Sequence, residues 1–330
     1  MNDIYVFENE SLEELVKLNK HCVHKDYVNY LTNNDITELK TTNPKNINYK
    51  IGIIIPNRNY EKWIDKCLTS IANQTYKNYE VIFCDDCSTD NSVKTASKYI
   101  EKLSNIKIVE LKQRRLNGGA RNEAYLYLSD DVDYVMYVDS DDWLAHNRVL
   151  EKINSKLQGS PDVLFIGLKT NQNGIENEYF IPDYYSRYEA FKGWSGSCGK
   201  VIKKELATRQ ECLYQEGTLK EDRTQHYKIC IYMKSFKLLP ETLYVWNRGN
   251  TESVSHRRNT VDWKVSTYRN YADALELYGK EKGKDSRIDL ILANRVAECK
   301  NELDTGGDAQ RWKYLLLEHS THYIMDILTY

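Results

Sequence analysis

The sequence has few prolines, only 5 in 330 residues, so rigid turns are scarce. Its net charge is nearly absent: 46 basic against 48 acidic side chains leave a formal −2, which gives no overall field for nucleic acid. No apolar run approaches the roughly 20 residues that span a bilayer, and the first residues are acidic rather than a basic, apolar leader. A soluble, cytoplasmic protein is expected, with the inner membrane face as a peripheral alternative. The dinucleotide fingerprint Gly-x-Gly-x-x-Gly does not follow the first strand, and the phosphate loop of NTPases occurs nowhere. Neither glycine cradle is therefore available to hold phosphates.

What is present is an ordinary globular composition, 41% apolar and 28% charged, and 8 scattered cysteines that read as buried thiols in a reducing compartment. Cys84 and Cys87 form a Cys-x-x-Cys pair, but they straddle Asp85 and Asp86 at a strand end and have no second ligand pair for zinc. A structural role is expected. Residues 1–48 read as an appendage and linker, with a capping box at Ser11 and Glu14 opening one short helix that carries Leu12, Leu15 and Leu18. Residues 49–260 form the main domain, with 261–330 a helical region.

From Ile51 strand and helix signals alternate, as in an α/β domain with a mainly parallel, Rossmann-like sheet flanked by helices. Ile51 to Ile55 is an apolar strand closed by Pro56. Tyr79 to Cys84 is the next, followed by Ser88, Thr89 and Asp90 as caps for a helix from about Asn91 to Leu103. Ile106 to Leu111 is a third strand, after which Asn117, Gly118 and Gly119 lead tightly into a helix. The fourth strand, Tyr134 to Val138, stops abruptly at Asp139, Ser140, Asp141 and Asp142.

Three strand ends thus deliver polar groups to one rim: Pro56, Asn57 and Arg58; Asp85 and Asp86; and the Asp139 cluster. Ligands bind at this rim of open α/β sheets. Carboxylates so crowded repel each other without a cation, and oxygen-only ligands suit Mg²⁺ or Mn²⁺. The alternative is a solvated turn with a helix cap, with Asp142 either a further ligand or the cap.

The stretches IGIIIPNRNYEKW, VIFCDDCSTDNS, LNGGARNEA and YVDSDDW, in that order, resemble family-2 glycosyltransferases of the GT-A fold. The match is dense from about Ile51 to Leu168, the half (49–168) assigned to a nucleotide sugar. WSGSCGKVIKKE, GTLKED and LYVWNRGNTESVSHRR resemble the acceptor half (169–260) of bacterial members that build polysaccharides. The resemblance implies an inverting, metal-dependent enzyme using a UDP-sugar and transferring to a hydroxyl of a glycan or another acceptor. Pro56, Asn57 and Arg58 would then line the nucleoside pocket, Asp86 would accept the base imide, and Asn117 and Arg121 would face the nucleotide. Asp139 and Ser140 would lie near ribose and metal, and Asp141 would bridge metal to diphosphate. Asp222, with Glu221 beside it, would supply the base. A plain helix start capped by Thr218 is the alternative reading of that pair.

His256 would add a metal ligand and Arg257 and Arg258 would clamp the diphosphate, against a solvated basic turn. Trp194 and Trp246 would stack on sugar faces or sit in the core, and residues between about Phe165 and Cys198 would choose the sugar. Rival functions are a nucleotidyltransferase, whose glycine- and arginine-rich loop PNRNYEKW lacks, and an inactive sugar-binding module. Beyond Val261 an apolar stripe of Trp263, Tyr268, Tyr271 and Leu275 predicts docking on the main domain or homodimerisation; Ile288 and Trp312 mark later helices.

Overall fold

The computed structural model describes residues 5–6, 47–103, 105–184, 186–253, 261–279 and 292–299. The helix expected after Ser11, the loop with His256, Arg257 and Arg258, and the helix around Trp312 lie outside the described residues.

The strands are β1 (Tyr5–Val6), β2 (Ile51–Asn57), β3 (Tyr79–Asp85), β4 (Ile106–Glu110), β5 (Tyr134–Tyr137), β6 (Trp143–Leu144), β7 (Val163–Gln172), β8 (Ile175–Phe180), β9 (Lys200–Lys203) and β10 (Ser235–Asn247). Among them run helices α1 (Glu61–Ala72), α2 (Ser92–Ser97), α3 (Leu116–Tyr125), α4 (Val149–Lys156), α5 (Arg187–Lys192), α6 (Lys204–Ala207), α7 (Glu221–Tyr232) and α8 (Val261–Gly279).

The sheet order is β1-β10-β7-β9-β5-β2-β3-β4. β5, β2, β3 and β4 are mutually parallel, as are β7 and β10. The short β9 runs antiparallel to β5 and β7 and joins the two blocks. The expected mainly parallel α/β sheet is present, with this antiparallel seam added.

Every residue of β2 and β3 is buried, because helices cover both faces of the sheet. Alternation along the strands then separates two cores. Ile54, Ile82, Cys84, Val135 and Tyr137 point toward α3, α7 and α8. Ile53, Ile55, Val81, Phe83 and Met136 meet α1 through Ile64, Cys67, Leu68 and Ile71, and α4 through Leu150 and Ile153.

Several local expectations are corrected. β2 does not stop at Ile55: Pro56 and Asn57 continue it in register with Cys84 and Asp85. Pairing of β2 with β5 has ended at Ile54 by then, so a residue lacking an N–H is tolerated there. The helix after Asp90 is short, Ser92–Ser97, and breaks into turns before Leu103; Asp90 accepts the Ser92 N–H at 3.0 Å, as an acid preceding a helix does. Cys84 and Cys87 are free thiols. Helix α8 docks: Tyr268, Tyr271, Ala272, Ala274 and Tyr278 are buried in the core that also holds Tyr227 and Ile229 of α7.

Candidate active site

The C-terminal ends of β2, β3 and β5 meet the N-termini of α3 and α7 around a cavity of about 470 Å³. Pro56, Asn117, Arg121, Asp139, Asp141, Glu221 and Asp222 line it together; Asn57, Arg58, Asp86 and Ser140 do not. Those four build its frame instead. Asn57 donates to Asp85 Oδ1 at 2.7 Å, and Arg58 donates to the Asp86 and Cys87 carbonyls at 2.8 and 3.0 Å, strapping the turn after β3. The Asp86 carboxylate accepts the N–H groups of Arg115 (2.6 Å) and Leu116 (2.9 Å), fixing the entry to α3.

The three acids after β5 diverge. Asp142 accepts the Tyr244 hydroxyl at 2.5 Å and the Asn247 N–H at 2.7 Å, so it anchors β10 and caps no helix. Asp141 accepts the Asn250 amide at 2.7 Å. Burial and the neighbouring Asp139 charge push its carboxyl up to about 7. Asp139 holds one Arg121 nitrogen at 2.6 Å, and its side chain keeps 35% of its exposure. Sequence reasoning missed Tyr244, Asn247 and Asn250 as the groups that orient the cluster. The signal was the end of β10, where the buried run Leu243 to Val245 passes into the polar stretch Asn247 to Asn250.

Arg121, 3% exposed, is shared between Asp139 and Glu221, the latter also at 2.6 Å. Its guanidinium is thereby spoken for by two carboxylates, and it lines the cavity as a strut rather than as a free cation. Glu221 reaches it across α3 at Gly118, where any Cβ would lie 2.8 Å from Glu221 Cγ. Thr218 does not cap α7: its hydroxyl donates to the Gln215 carbonyl at 3.1 Å, and Lys220 holds the N-cap position in the left-handed conformation, φ 61°. The left-handed turn swings both acids of α7 toward the cavity.

Asp222 accepts the Arg223 N–H through Oδ1 at 2.9 Å, and its second oxygen has no hydrogen-bond partner among the described residues. Burial raises its proton affinity, while the charges of Arg121, Arg223 and Lys200 oppose the rise. Opposite, Tyr179, Trp194 and Trp246 form an aromatic wall, with Tyr179 edge-on to both indoles at 5.3 Å. Both tryptophans face the cavity, beside Ser195 to Cys198. Lys200, fully buried below that loop, donates to the carbonyls of Trp194 (3.2 Å) and Gly196.

Among the described residues, no group of three or more His, Cys, Asp or Glu side chains is arranged to hold a metal ion. Two carboxylates, Asp139 and Asp141, do face one space. Within the described residues the buried Ser140 Oγ and Arg121 Nε beside them lack partners. The two carboxylates, with the Ser140 hydroxyl beside them, fit Mg²⁺ or Mn²⁺, which commonly take one or two carboxylates and leave the other positions to water and substrate phosphates.

The chain is 34% identical over 138 residues to the poly(ribitol-phosphate) beta-glucosyltransferase of Bacillus spizizenii, covering 40% of this chain and 21% of that protein. It is 31% identical over 157 residues to the Escherichia coli UDP-Glc:alpha-D-GlcNAc-diphosphoundecaprenol beta-1,3-glucosyltransferase WfgD, covering 47% of this chain and 60% of that one. The chain thus spans between about a fifth and three fifths of the length of these curated relatives. The S. aureus TarS 1–349 crystal structure with UDP-GlcNAc superposes with a TM-score of 0.61 at 22% identity, over 79% of this chain and 74% of that one. The Pyrobaculum calidifontis mannosyltransferase PcManGT, with GDP-Man and Mn²⁺, superposes at 0.54 and 16% identity, over 87% and 80%. The architecture is therefore that of these transferases. The model of glycosyl transferase family 2 matches residues 52–216, half of the chain and the source of most of the cavity's lining, so this chain belongs to glycosyl transferase family 2.

Proposed function

We propose that the chain is an inverting glycosyltransferase that moves a sugar from a UDP-linked donor to an acceptor hydroxyl, with Asp222 as base and Asp139 and Asp141 as ligands of Mn²⁺ or Mg²⁺. The observation that carries this reading is one cavity with Asp139 and Asp141 on one side and, across Arg121, Asp222 with an uncommitted carboxylate oxygen. The UDP-GlcNAc bound to TarS and the UDP-Glc in the name of WfgD support the donor class. A divalent cation on the two aspartates would stabilise the charge of the departing diphosphate.

The protein's own groups supply the rest. Arg121 holds Glu221 and Asp139 in fixed positions, so Asp222 is the acid left to accept the acceptor's proton as its oxygen attacks the anomeric carbon. Trp194, Trp246 and Tyr179 offer apolar surface to a sugar ring and exclude water from it. Because the proton affinity of Asp222 is raised and the base form is the ionised one, the rate is expected to fall as pH drops through that raised value. His256, Arg257 and Arg258 remain candidates for the diphosphate side.

The test is titration of UDP and GDP, with and without Mn²⁺, into the parent and into Asp222→Asn, alongside release of UDP from a UDP-sugar. Metal-dependent UDP binding by both proteins, with turnover in the variant reduced by ~10²–10⁴, is expected. No nucleotide binding under any metal condition, or full turnover in Asp222→Asn, overturns the reading.

A further inference from the structure

A second cavity, of about 680 Å³, opens beside the first. Its walls are α5, at the end of the stretch matched by the family model, and α7, α8 and the helix over 292–299, which lie beyond it. Only the second of the two cavities reaches the C-terminal helices, yet the two share Ser195 and Arg223, and Arg223 directly follows Asp222. A molecule lying in the second cavity therefore arrives beside the base.

The two cavities differ in charge. In the first, Asp139, Asp141, Asp142, Glu221 and Asp222 outnumber the cations; in the second, Lys192, Arg223 and Arg295 outnumber Glu298. Lys192 pairs with Glu189 at 3.1 Å and Arg295 with Glu298 at 2.7 Å, both on exposed surface where such pairs are weak and readily exchanged for a stronger anion. Arg223 gives one N–H to the Tyr271 hydroxyl at 2.7 Å and has further donors in its fork, a geometry suited to phosphate. Beneath these cations Phe191, Tyr227 and Tyr271 stack in a row, with ring centroids 4.5 and 5.7 Å apart. These buried rings give the cavity an apolar floor, and an apolar floor beside cations suits an anionic chain whose units also carry C–H groups.

Resting on the transferase reading above, we infer that this second cavity is the acceptor groove and that it takes a phosphate-bearing sugar or polyol chain. Its phosphate meets Arg223 and Arg295 while a hydroxyl of the adjoining unit reaches Asp222. The near-neutral charge of the whole chain favours this over a nucleic-acid strand, which would engage a longer basic track.

The test uses the full chain, with a short ribitol-phosphate oligomer, a neutral maltooligosaccharide of equal length and a single-stranded oligonucleotide as probes. Binding is measured for the parent and for Lys192→Glu/Arg295→Glu, and UDP binding is measured in both proteins as the control for folding and for the donor site. The expected result is preference for the ribitol-phosphate oligomer, weakened at least about tenfold in the variant with UDP binding unchanged. Intact UDP binding with equal affinity for the neutral oligomer, with tighter binding of the oligonucleotide, or with no effect of the charge reversals overturns the groove alone. Failure of the parent to bind UDP removes the transferase reading and the groove with it.

Discussion

Asp141 is a carboxyl kept from water at the head of a sheet, and its cost depends on pH. Between its ordinary value of 3.8 and about 7 the folded protein holds a proton that the unfolded chain has released. Stability therefore falls as pH rises across that window, and the penalty is complete above it. Asp141→Asn keeps an acceptor for Asn250 and removes the charge. In metal-free protein it is expected to raise Tm by ~2–8 °C near pH 8 and to change it little near pH 4. An unchanged Tm near pH 8, read by calorimetry, would show that Asp141 carries no such burden. At this scale the sequence was informative about which residues gather and less so about their division of labour. Asp139, Asp141 and Asp142 look alike in the chain, and what separates them is Arg121, Asn250 and Tyr244, each supplied by a distant segment.

Elements place these residues, and α7 is the one on which the site turns. Its Thr224, Gln225 and His226 are as buried as Ile229 and Cys230, since α7 is packed against α5, α8 and the sheet at once. No apolar stripe could therefore announce it in the sequence. The strands β2, β3 and β5 were legible for the converse reason: buried on both faces, they are continuous apolar runs. The N-terminus of α7 is held from two sides, by Asn270 of α8 donating to the Leu219 and Lys220 carbonyls at 3.1 and 2.9 Å, and by α3 at Gly118. Gly118→Ala puts a methyl 2.8 Å from Glu221 Cγ and 3.0 Å from the Gln215 carbonyl. Despite alanine's helix propensity, the variant is expected to lose ~1–3 kcal/mol of stability and to lower kcat as Glu221 leaves Arg121. Chemical denaturation and steady-state kinetics on the same sample check this, and a more stable, fully active variant would mean the contact is slack.

The whole molecule is two unequal parallel blocks, and its outline was readable only in the larger. Residues 49–168 carry their strands and motifs in succession, whereas residues 169–260 spread theirs, with β10 following α7 and returning to pair with β7. No described helix is long and apolar enough to cross a membrane. The four-residue β9 has a further consequence, in the order of events during folding. Among the described residues β9 is the strand that joins β5 to β7, with the β6–β10 pairing as a second tie, so the closing of this seam is expected late in folding. Val201, fully buried, pairs there with Met136 on one side and Leu164 on the other. Val201→Ala, costing ~1–3 kcal/mol, is therefore expected to speed unfolding severalfold and leave the early refolding phases untouched. Stopped-flow refolding that slowed from its first phase would instead make β9 part of the nucleus. On the expected result, the short antiparallel strand acts as a latch between the two blocks, and the lifetime of the folded protein is governed by how often that latch opens.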